Sequence, residues 1–101
     1  MFNGKNILIT GGTGSFGKKY TEILLKKYRP NKLIIFSRDE LKQYEMAQEF
    51  NEKCMRYFIG DVRDNQRLKQ ATKDVDFIIH EDELKNVQIV EYNCRERIKK
   101  K

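Results

Sequence analysis

The chain is poor in the residues that build metal centres and disulfide frameworks. Its 101 residues include two cysteines, Cys54 and Cys94, one histidine and no tryptophan. The two cysteines have neither a metal-ligand spacing nor the spacing of a redox motif. We therefore predict no metal site and a reducing, cytoplasmic setting. A Cys54–Cys94 disulfide is not expected, because Cys54 precedes the third apolar segment and Cys94 follows the fourth, at opposite edges of the sheet predicted below. The lone His80 ends an apolar segment, which favours a packed or capping role over catalysis.

Long hydrophobic runs are also absent. No apolar stretch approaches the ~20 residues of a membrane-spanning helix, and no signal peptide precedes the first apolar segment. No membrane association is therefore expected. About 100 residues can bury one core but leave no room for a second, substrate-holding domain.

Charge of both signs is abundant, at 36% of residues with a formal net charge of +6. That excess of positive charge suits an anionic partner, either a phosphate-bearing small molecule or nucleic acid, and also suits a merely solvated surface. The most basic segment, residues 95–101, has no interleaved aromatic side chains. This argues against a nucleic-acid-binding module.

Short apolar segments alternate with segments of helical spacing. The apolar segments suit strands buried on both faces of a parallel sheet, at residues 6–10, 32–37, 56–60 and 76–80. The helical segments are residues 16–28, 39–51 and 65–72. Pro30 ends the first helix, Ser37 with Glu40 forms a candidate capping box, and Asp64 caps the third helix. The alternation predicts an α/β fold, a doubly wound parallel sheet of four strands in the order 3-2-1-4 with flanking helices.

The first predicted strand runs into a glycine-rich turn and a helix. Gly12-x-Gly14-x-x-Gly17 satisfies the G-x-G-x-x-G pattern, and Gly11 precedes it. Glycine allows a sharp turn and keeps side chains away from a pyrophosphate, while the first helical amides point at its phosphates. The strand–turn–helix context supports a dinucleotide site. Its candidate residues here are Gly11, Thr13, Gly14, Ser15, Phe16 and Gly17.

The end of the second strand refines the choice of dinucleotide. Arg38 follows this strand, where an NAD-preferring fold usually carries an acid, and Lys42 lies one helical turn further on. Both cations suit the 2′-phosphate of NADP, so NADP is favoured over NAD. In the alternative interpretation Ser37 and Asp39 only cap a helix while Arg38 is solvated. The two roles can coexist.

Asp61 and Val62 follow the third strand. A carboxylate and a backbone amide at this place could frame an adenine ring. Taken alone, Asp61 is equally well explained as a turn residue. Both interpretations stay open.

These residues also carry a family resemblance. Three motifs at matched spacing resemble the extended short-chain dehydrogenase/reductases: Ile9-Thr-Gly-Gly-Thr-Gly-Ser-Phe-Gly17, Phe36-Ser-Arg-Asp-Glu-Leu-Lys42 and Gly60-Asp-Val-Arg-Asp64. Within that family they are similar to bacterial UDP-N-acetylglucosamine 4,6-dehydratases and related nucleotide-sugar enzymes of polysaccharide and flagellin-glycan synthesis. The resemblance covers about residues 2–93. It implies a Rossmann fold, NADP, a UDP-sugar substrate in the full-length family, and lyase chemistry that oxidises C4, eliminates water across C5 and C6, and returns the hydride to C6.

The family's Tyr-x-x-x-Lys pair has no counterpart at the matching place. Tyr28 and Lys32 have the spacing, but they fall at the end of the first helix, on the wrong side of the sheet. The family pair and the sugar-binding domain lie in a part that continues beyond the fourth strand. We therefore predict no catalytic residue and no complete active site in this chain.

The segment after the fourth strand departs from the family pattern. Where the family has small residues, this chain has Glu81, Asp82 and Glu83, and the family prolines are replaced by Gln88 and Cys94. An acid about 6 Å from a phosphate repels it by roughly 2–3 kcal/mol at an effective dielectric near 20, so weakened binding of NADP is expected. Apolar spacing, with acids at the start and lysines at the end, predicts a rewritten helix over residues 81–101.

Residues 1–101 are thus interpreted as a truncated NAD(P)-binding Rossmann domain that resembles the cofactor half of a nucleotide-sugar dehydratase or epimerase. The alternative is a designed or minimised Rossmann scaffold with no ligand or activity. An exposed fourth strand would leave an unpaired sheet edge and apolar surface. We therefore also predict a reduced monomer in equilibrium with a homodimer.

Overall fold

The structure, a computed structural model, describes residues 2–11, 13–81 and 87–91, with Glu81, Val87, Gln88, Val90 and Glu91 described by their backbone only. Within these residues, eight elements follow one another. They are β1 (Asn6–Thr10), α1 (Ser15–Lys27), β2 (Lys32–Ser37), α2 (Glu40–Glu49), β3 (Met55–Ile59), α3 (Asn65–Ala71), β4 (Phe77–Glu81) and β5 (Val87–Glu91).

The strands form one sheet in the order β3-β2-β1-β4-β5. The first four strands are parallel, which confirms the predicted order 3-2-1-4. In the register of the sheet, Thr10 lies opposite both Phe36 of β2 and His80 of β4. The carboxyl ends of these three strands are therefore level at one edge of the sheet.

The central strands β1 and β2 are buried on both faces because they carry continuous apolar runs. On one face Ile7, Ile9 and Ile35 pack in a cluster with Leu24 of α1 and Met46 of α2. On the other face the alternate residues pack with helix α3 and the turn after it, in a second cluster made of Leu8, Ile34, Phe36, Ala71 and Val75. The helices thus cover opposite faces, as a doubly wound fold requires.

The helices begin in two different ways. Asp39 caps α2 by accepting a hydrogen bond from the Lys42 amide at 2.9 Å, and Asp64 caps α3 by accepting from the Arg67 amide at 3.1 Å. The Asp64 cap is as predicted, whereas the Ser37 capping box is wrong, because Ser37 is the last residue of β2. Gly14, the N-cap of α1, makes no side-chain cap. The first amides of α1 are therefore not capped by that residue.

The helix predicted over residues 81–101 is wrong at residues 87–91, which form β5. This strand pairs antiparallel with β4, with Ile79 opposite Ile89. The pairing satisfies backbone groups that β4 would otherwise leave unpaired, and the β-branched residues of this segment suit a strand. The prediction that β4 is an exposed edge is therefore also wrong. The rest of the predicted helix, with Asp82, Glu83 and Cys94, lies outside the described residues.

Candidate functional site

A cleft of about 670 Å³ lies at the carboxyl ends of the parallel strands. In a doubly wound sheet this is the place where ligands bind, beside the strand from which the chain winds in both directions, here β1. The cleft is lined by the segments that follow β1, β2 and β3 and by the end of β4. Its lining residues are Gly11, Thr13, Gly14, Phe36, Ser37, Arg38, Asp39, Lys42, Gly60, Asp61, Val62, Arg63 and His80.

The turn after β1 takes a form that depends on glycine. Gly11 has a φ of 66°, a left-handed backbone conformation that residues other than glycine rarely adopt. Its amide donates to the Phe36 carbonyl at 2.9 Å, which fixes the turn against β2. The Gly14 amide then donates back to the Gly11 carbonyl at 3.2 Å. These bonds hold the chain close to the sheet edge as it enters α1.

The predicted glycine-turn residues separate into two groups. Gly11, Thr13 and Gly14 line the cleft, whereas Ser15, Phe16 and Gly17 belong to the first turn of α1 and do not line it. Phe16 lies against Tyr20, with ring centroids 5.3 Å apart, and Gly17 is buried in the helix. A contribution of these three residues to a bound ligand stays a prediction.

The floor of the cleft is a small hydrogen-bonded network. The Thr13 hydroxyl donates to Ser37 Oγ at 3.4 Å. The buried Gln43 amide donates to the same oxygen at 3.1 Å and to the Phe58 carbonyl at 3.0 Å. Gln43 of α2 thereby links β2 to β3 beneath the site. Gln43 is not among the predicted site residues, although a polar side chain on the inner face of a predicted helix is the signal that could have found it.

The outer rim of the cleft is a cluster of charges around Asp61. The Arg63 guanidinium holds this carboxylate through Nη2 at 2.8 Å and Nε at 3.1 Å, and the Arg63 amide donates to it at 2.9 Å. Nη1 of Arg38 lies 3.5 Å from the same carboxylate. The hydrogen bonds from Arg63 lower the pKa of Asp61, and the Asp61 carboxylate raises the pKa of Arg63.

Each predicted residue of the rim has an observed place. The Arg38 side chain is 71% exposed, and both Arg38 and Lys42 line the cleft. Asp39 lines the cleft and also caps α2, while its contact with a cofactor stays a prediction. Asp61 accepts from the Arg63 amide and its carbonyl accepts from the Asp64 amide, which establishes the turn role. Contact of Asp61 and Val62 with an adenine ring stays a prediction.

Four lining residues were not among the predicted site residues: Phe36, Gly60, Arg63 and His80. Gly60 lies so close to Phe36 that an added Cβ would come within 2.8 Å of the ring. The sequence predicts a packed or capping role for His80, and the alignment of β4 with β1 also brings this residue to the cleft. Arg63 could have been found from the Asp-x-Arg spacing after a strand.

Other predictions fall away from the cleft or outside the described residues. Tyr28 follows α1 and Lys32 opens β2, so this pair lies at the opposite end of the sheet. Of the acids expected to repel a phosphate, only the Glu81 backbone is described, so their effect stays a prediction. Within the described ranges, no cluster of three or more metal-ligating side chains occurs, and no helix has the length and apolarity to cross a membrane.

Comparison with known proteins identifies the family. The sequence profile of a family described as "Polysaccharide biosynthesis protein" matches residues 7–101. The chain belongs to this family. It is 68% identical, over 99 residues, to the inverting UDP-N-acetylglucosamine 4,6-dehydratase of Campylobacter jejuni subsp. jejuni (strain 81-176), covering 98% of this chain and 30% of that protein. It is 41% identical over 105 residues to the UDP-glucose 4-epimerase of Rickettsia bellii (strain OSU 85-389). This match covers 97% of this chain and 30% of the epimerase. The chain thus spans about 30% of the length of these relatives.

Solved structures share the fold. Pen from Bacillus thuringiensis matches with a TM-score of 0.72 and 38% identity, covering 77% of this chain and 24% of that one. A wide-type short-chain dehydrogenase/reductase from Veillonella parvula, solved with NADP, matches with a TM-score of 0.64 and 21% identity, covering 75% and 34%. WbmF from Bordetella bronchiseptica, solved with NAD⁺, matches with a TM-score of 0.61 and 16% identity, covering 78% and 23%. The last two likenesses establish the Rossmann-type fold alone.

Proposed function

We propose that this chain binds NADP(H) in the cleft and forms the cofactor half of a nucleotide-sugar 4,6-dehydratase. The observation that carries this proposal is the pairing of a glycine turn at one end of the cleft with an arginine-rich rim at the other. A pyrophosphate suits the first and a ribose 2′-phosphate suits the second.

The glycine turn supports the pyrophosphate end of the proposed site. Gly14 is the N-cap of α1, and it contributes no side chain that could occupy the first helical amides. These amides and the helix dipole favour an anion. Among the described residues a Cβ at Gly14 would meet only the Gly11 carbonyl, at 3.6 Å, which leaves space in front of the turn. The residues present therefore fit a phosphate group at this end.

The charged rim supports NADP over NAD. An NAD-selective site needs a carboxylate that is available to the ribose hydroxyls. Here Asp39 accepts the α2 cap hydrogen bond and Asp61 is held by Arg63. Arg38, by contrast, is largely exposed and has only one contact of 3.5 Å with a carboxylate among the described residues. Two proteins that share this fold hold NADP and NAD⁺ respectively, so the rim rather than the fold supports the preference.

The relatives support the choice of substrate. Two Campylobacter proteins, 68% and 69% identical to this chain, are UDP-N-acetylglucosamine 4,6-dehydratases. We infer that the cofactor held here serves a UDP-sugar in a cytoplasmic reaction. Bound NADP⁺ would supply hydride transfer, while residues of this chain bind and orient it. Because the Tyr28 and Lys32 pair lies at the opposite end of the sheet, we propose that the described residues do not complete the active site.

The proposal can be tested by titrating an isotope-labelled sample of the chain with NADPH and following its backbone amide resonances. We expect shifts at Gly14, Arg38 and Asp61, which lie in three separate segments around the cleft. The Asn3 and Arg29 amides, at the opposite end of the sheet, serve as internal controls. Absence of any saturable shift at the cleft would overturn the proposal and would favour the alternative of a Rossmann scaffold without a ligand.

A further inference from the structure

We propose that Arg63 is a positioning residue for selection of the 2′-phosphate. It holds the Asp61 carboxylate and thereby keeps Arg38 available to the ligand. This inference rests on the proposed binding of NADP(H) and adds to it a residue that selects between the two nicotinamide dinucleotides.

The grip of Arg63 on Asp61 is short and uses several donors. Nη2 of Arg63 lies 2.8 Å from Oδ2 of Asp61, and Nε lies 3.1 Å from Oδ1 and 3.2 Å from Oδ2. The Arg63 amide adds a further bond to Oδ1 at 2.9 Å. Both carboxylate oxygens of Asp61 thus accept hydrogen bonds from Arg63, which follows Asp61 by two residues in the chain. Such a forked arrangement is the strongest geometry available to an arginine and a carboxylate.

The contact of Arg38 with the same carboxylate is much weaker. A single nitrogen, Nη1, lies 3.5 Å from Oδ2. The Asp61 side chain is 28% exposed, while the Arg38 and Arg63 side chains are 71% and 77% exposed. The number and length of the contacts, and not burial, therefore make Arg63 the firmer partner of Asp61 and Arg38 the adjustable one. An arginine held this loosely can turn its donors to a phosphate without first breaking a forked ion pair.

Removal of the Arg63 guanidinium would change this balance. The Asp61 carboxylate would lose its closest cation, and among the described residues the other arginine in contact with it is Arg38. We expect the two to form a tighter pair, in which Asp61 competes with the 2′-phosphate for the same guanidinium. Affinity for NADPH would fall more than affinity for NADH, since NADH has no phosphate at that position.

The structure also distinguishes this role from a simple contribution of positive charge. If Arg63 acted only through its charge, or by touching the phosphate itself, its removal would cost affinity whether or not Asp61 carried a negative charge. If Arg63 acts by holding Asp61, its removal should cost little once Asp61 is made neutral. A double-mutant cycle with Asp61→Asn separates the two cases.

The experiment measures the affinities for NADPH and NADH of the unmodified chain, Arg63→Gln, Asp61→Asn and the double variant by calorimetry. We expect Arg63→Gln to lower the preference for NADPH roughly tenfold, the worth of one well-formed charged hydrogen bond. In the Asp61→Asn background the same substitution should change the preference less than about twofold. Arg29→Gln, which removes the same charge at the opposite end of the sheet, is the matched control and should leave the preference unchanged.

Equal effects of Arg63→Gln in both backgrounds would overturn the proposal, as would no effect in the unmodified background. A measurement on the chain without ligand separates failure of the role proposed for Arg63 from failure of the proposed cofactor binding. The Arg38 Nε–H resonance should shift in Arg63→Gln as Arg38 approaches Asp61, and should return in the double variant. If the unmodified chain shows no preference for NADPH, the proposed function fails. If the preference exists but the Arg38 resonance does not respond, only the role of Arg63 fails.

Discussion

The Thr10 hydroxyl lies 2.5 Å from Nδ1 of His80, across the pairing of β1 with β4. Thr10 is almost fully buried, at 6% exposure, and His80 lines the cleft. The bond fixes the imidazole ring beside the glycine turn and joins the two strands that flank the ligand-binding point of the sheet. A histidine that the sequence presented as a packed residue is thus also part of the cleft wall.

This bond predicts the effect of Thr10→Val. Valine keeps the shape of threonine but cannot pair with the His80 ring, so we expect a loss of about 1 kcal/mol in the free energy of unfolding. Denaturant unfolding followed by circular dichroism measures the change. The same variant should still bind NADPH, since the Thr10 side chain is buried behind the cleft rather than lining it.

Thr21→Val is the matched control. Thr21 is fully buried in α1, and its hydroxyl has no hydrogen-bond partner among the described residues. Replacing that hydroxyl by a methyl group removes an unsatisfied buried group, so the variant should be as stable as the unmodified chain or more stable. Equal destabilisation by both substitutions would show that the Thr10–His80 bond contributes nothing beyond the general cost of the exchange.

Gly60→Ala should destabilise the fold by overpacking. A Cβ at this position would lie 2.7 Å from Cγ of Arg67 and 2.8 Å from the Phe36 ring, which is completely buried. We expect a loss of about 1–3 kcal/mol, read as a lower denaturant midpoint. Gly14→Ala, with a nearest contact of 3.6 Å, should change stability by less than about 1 kcal/mol. Similar stabilities of the two variants would contradict the packing described at Gly60.

The central strands could be predicted from the sequence because β1 and β2 carry continuous apolar runs, and their alternation with helices predicts the strand order. Leu33, Ile34 and Ile35 are all buried, and no helical or one-sided pattern explains such a run. The segment 87–91 is different, since its apolar residues fit both a helix and a strand. This segment forms a strand because its backbone pairs with the free edge of β4. That neighbour is known only from the tertiary structure.

The sequence predicts the part of the candidate site whose residues lie close together in the chain and form a recognisable motif. The turn at Gly11 and Gly14 and the cation Arg38 occupy the cleft. The two residues that organise its interior were not predicted, because their importance comes from partners distant in sequence. Gln43 reaches the Phe58 carbonyl, and His80 meets Thr10, 70 positions earlier in the chain.

Self-association is expected at the edge of the sheet. β5 is a terminal strand in the sheet order, and Ile89 on it is 42% exposed. Such an edge can pair with a second copy of the chain. We predict a monomer in equilibrium with a dimer in sedimentation experiments across a concentration series, with and without reductant. A species that stays monomeric at all concentrations would contradict the dimer. An intrachain Cys54–Cys94 bridge would contradict the prediction that both thiols are reduced.

The chain alone should give no 4-keto product from UDP-N-acetylglucosamine. Tyr28 and Lys32 have the spacing of the family's proton-transfer pair but lie at the opposite end of the sheet from the cleft. Positioning and acid–base groups together account for many decades of rate. Long incubation with NADP⁺, followed by mass spectrometry of the sugar nucleotide, provides the measurement. Formation of the 4-keto sugar by purified protein would show that the chain holds an active site that we do not assign.

The central claim is that Arg38 reads the 2′-phosphate of NADP(H). Calorimetric titration of the unmodified chain and of Arg38→Ala with NADPH and NADH tests it most directly. We predict tighter binding of NADPH than of NADH by the unmodified chain, by roughly tenfold or more, because a charged hydrogen bond to phosphate contributes about 1.5–3 kcal/mol. Arg38→Ala should bind both dinucleotides with the same affinity. Equal affinities for NADPH and NADH in the unmodified chain would contradict the account.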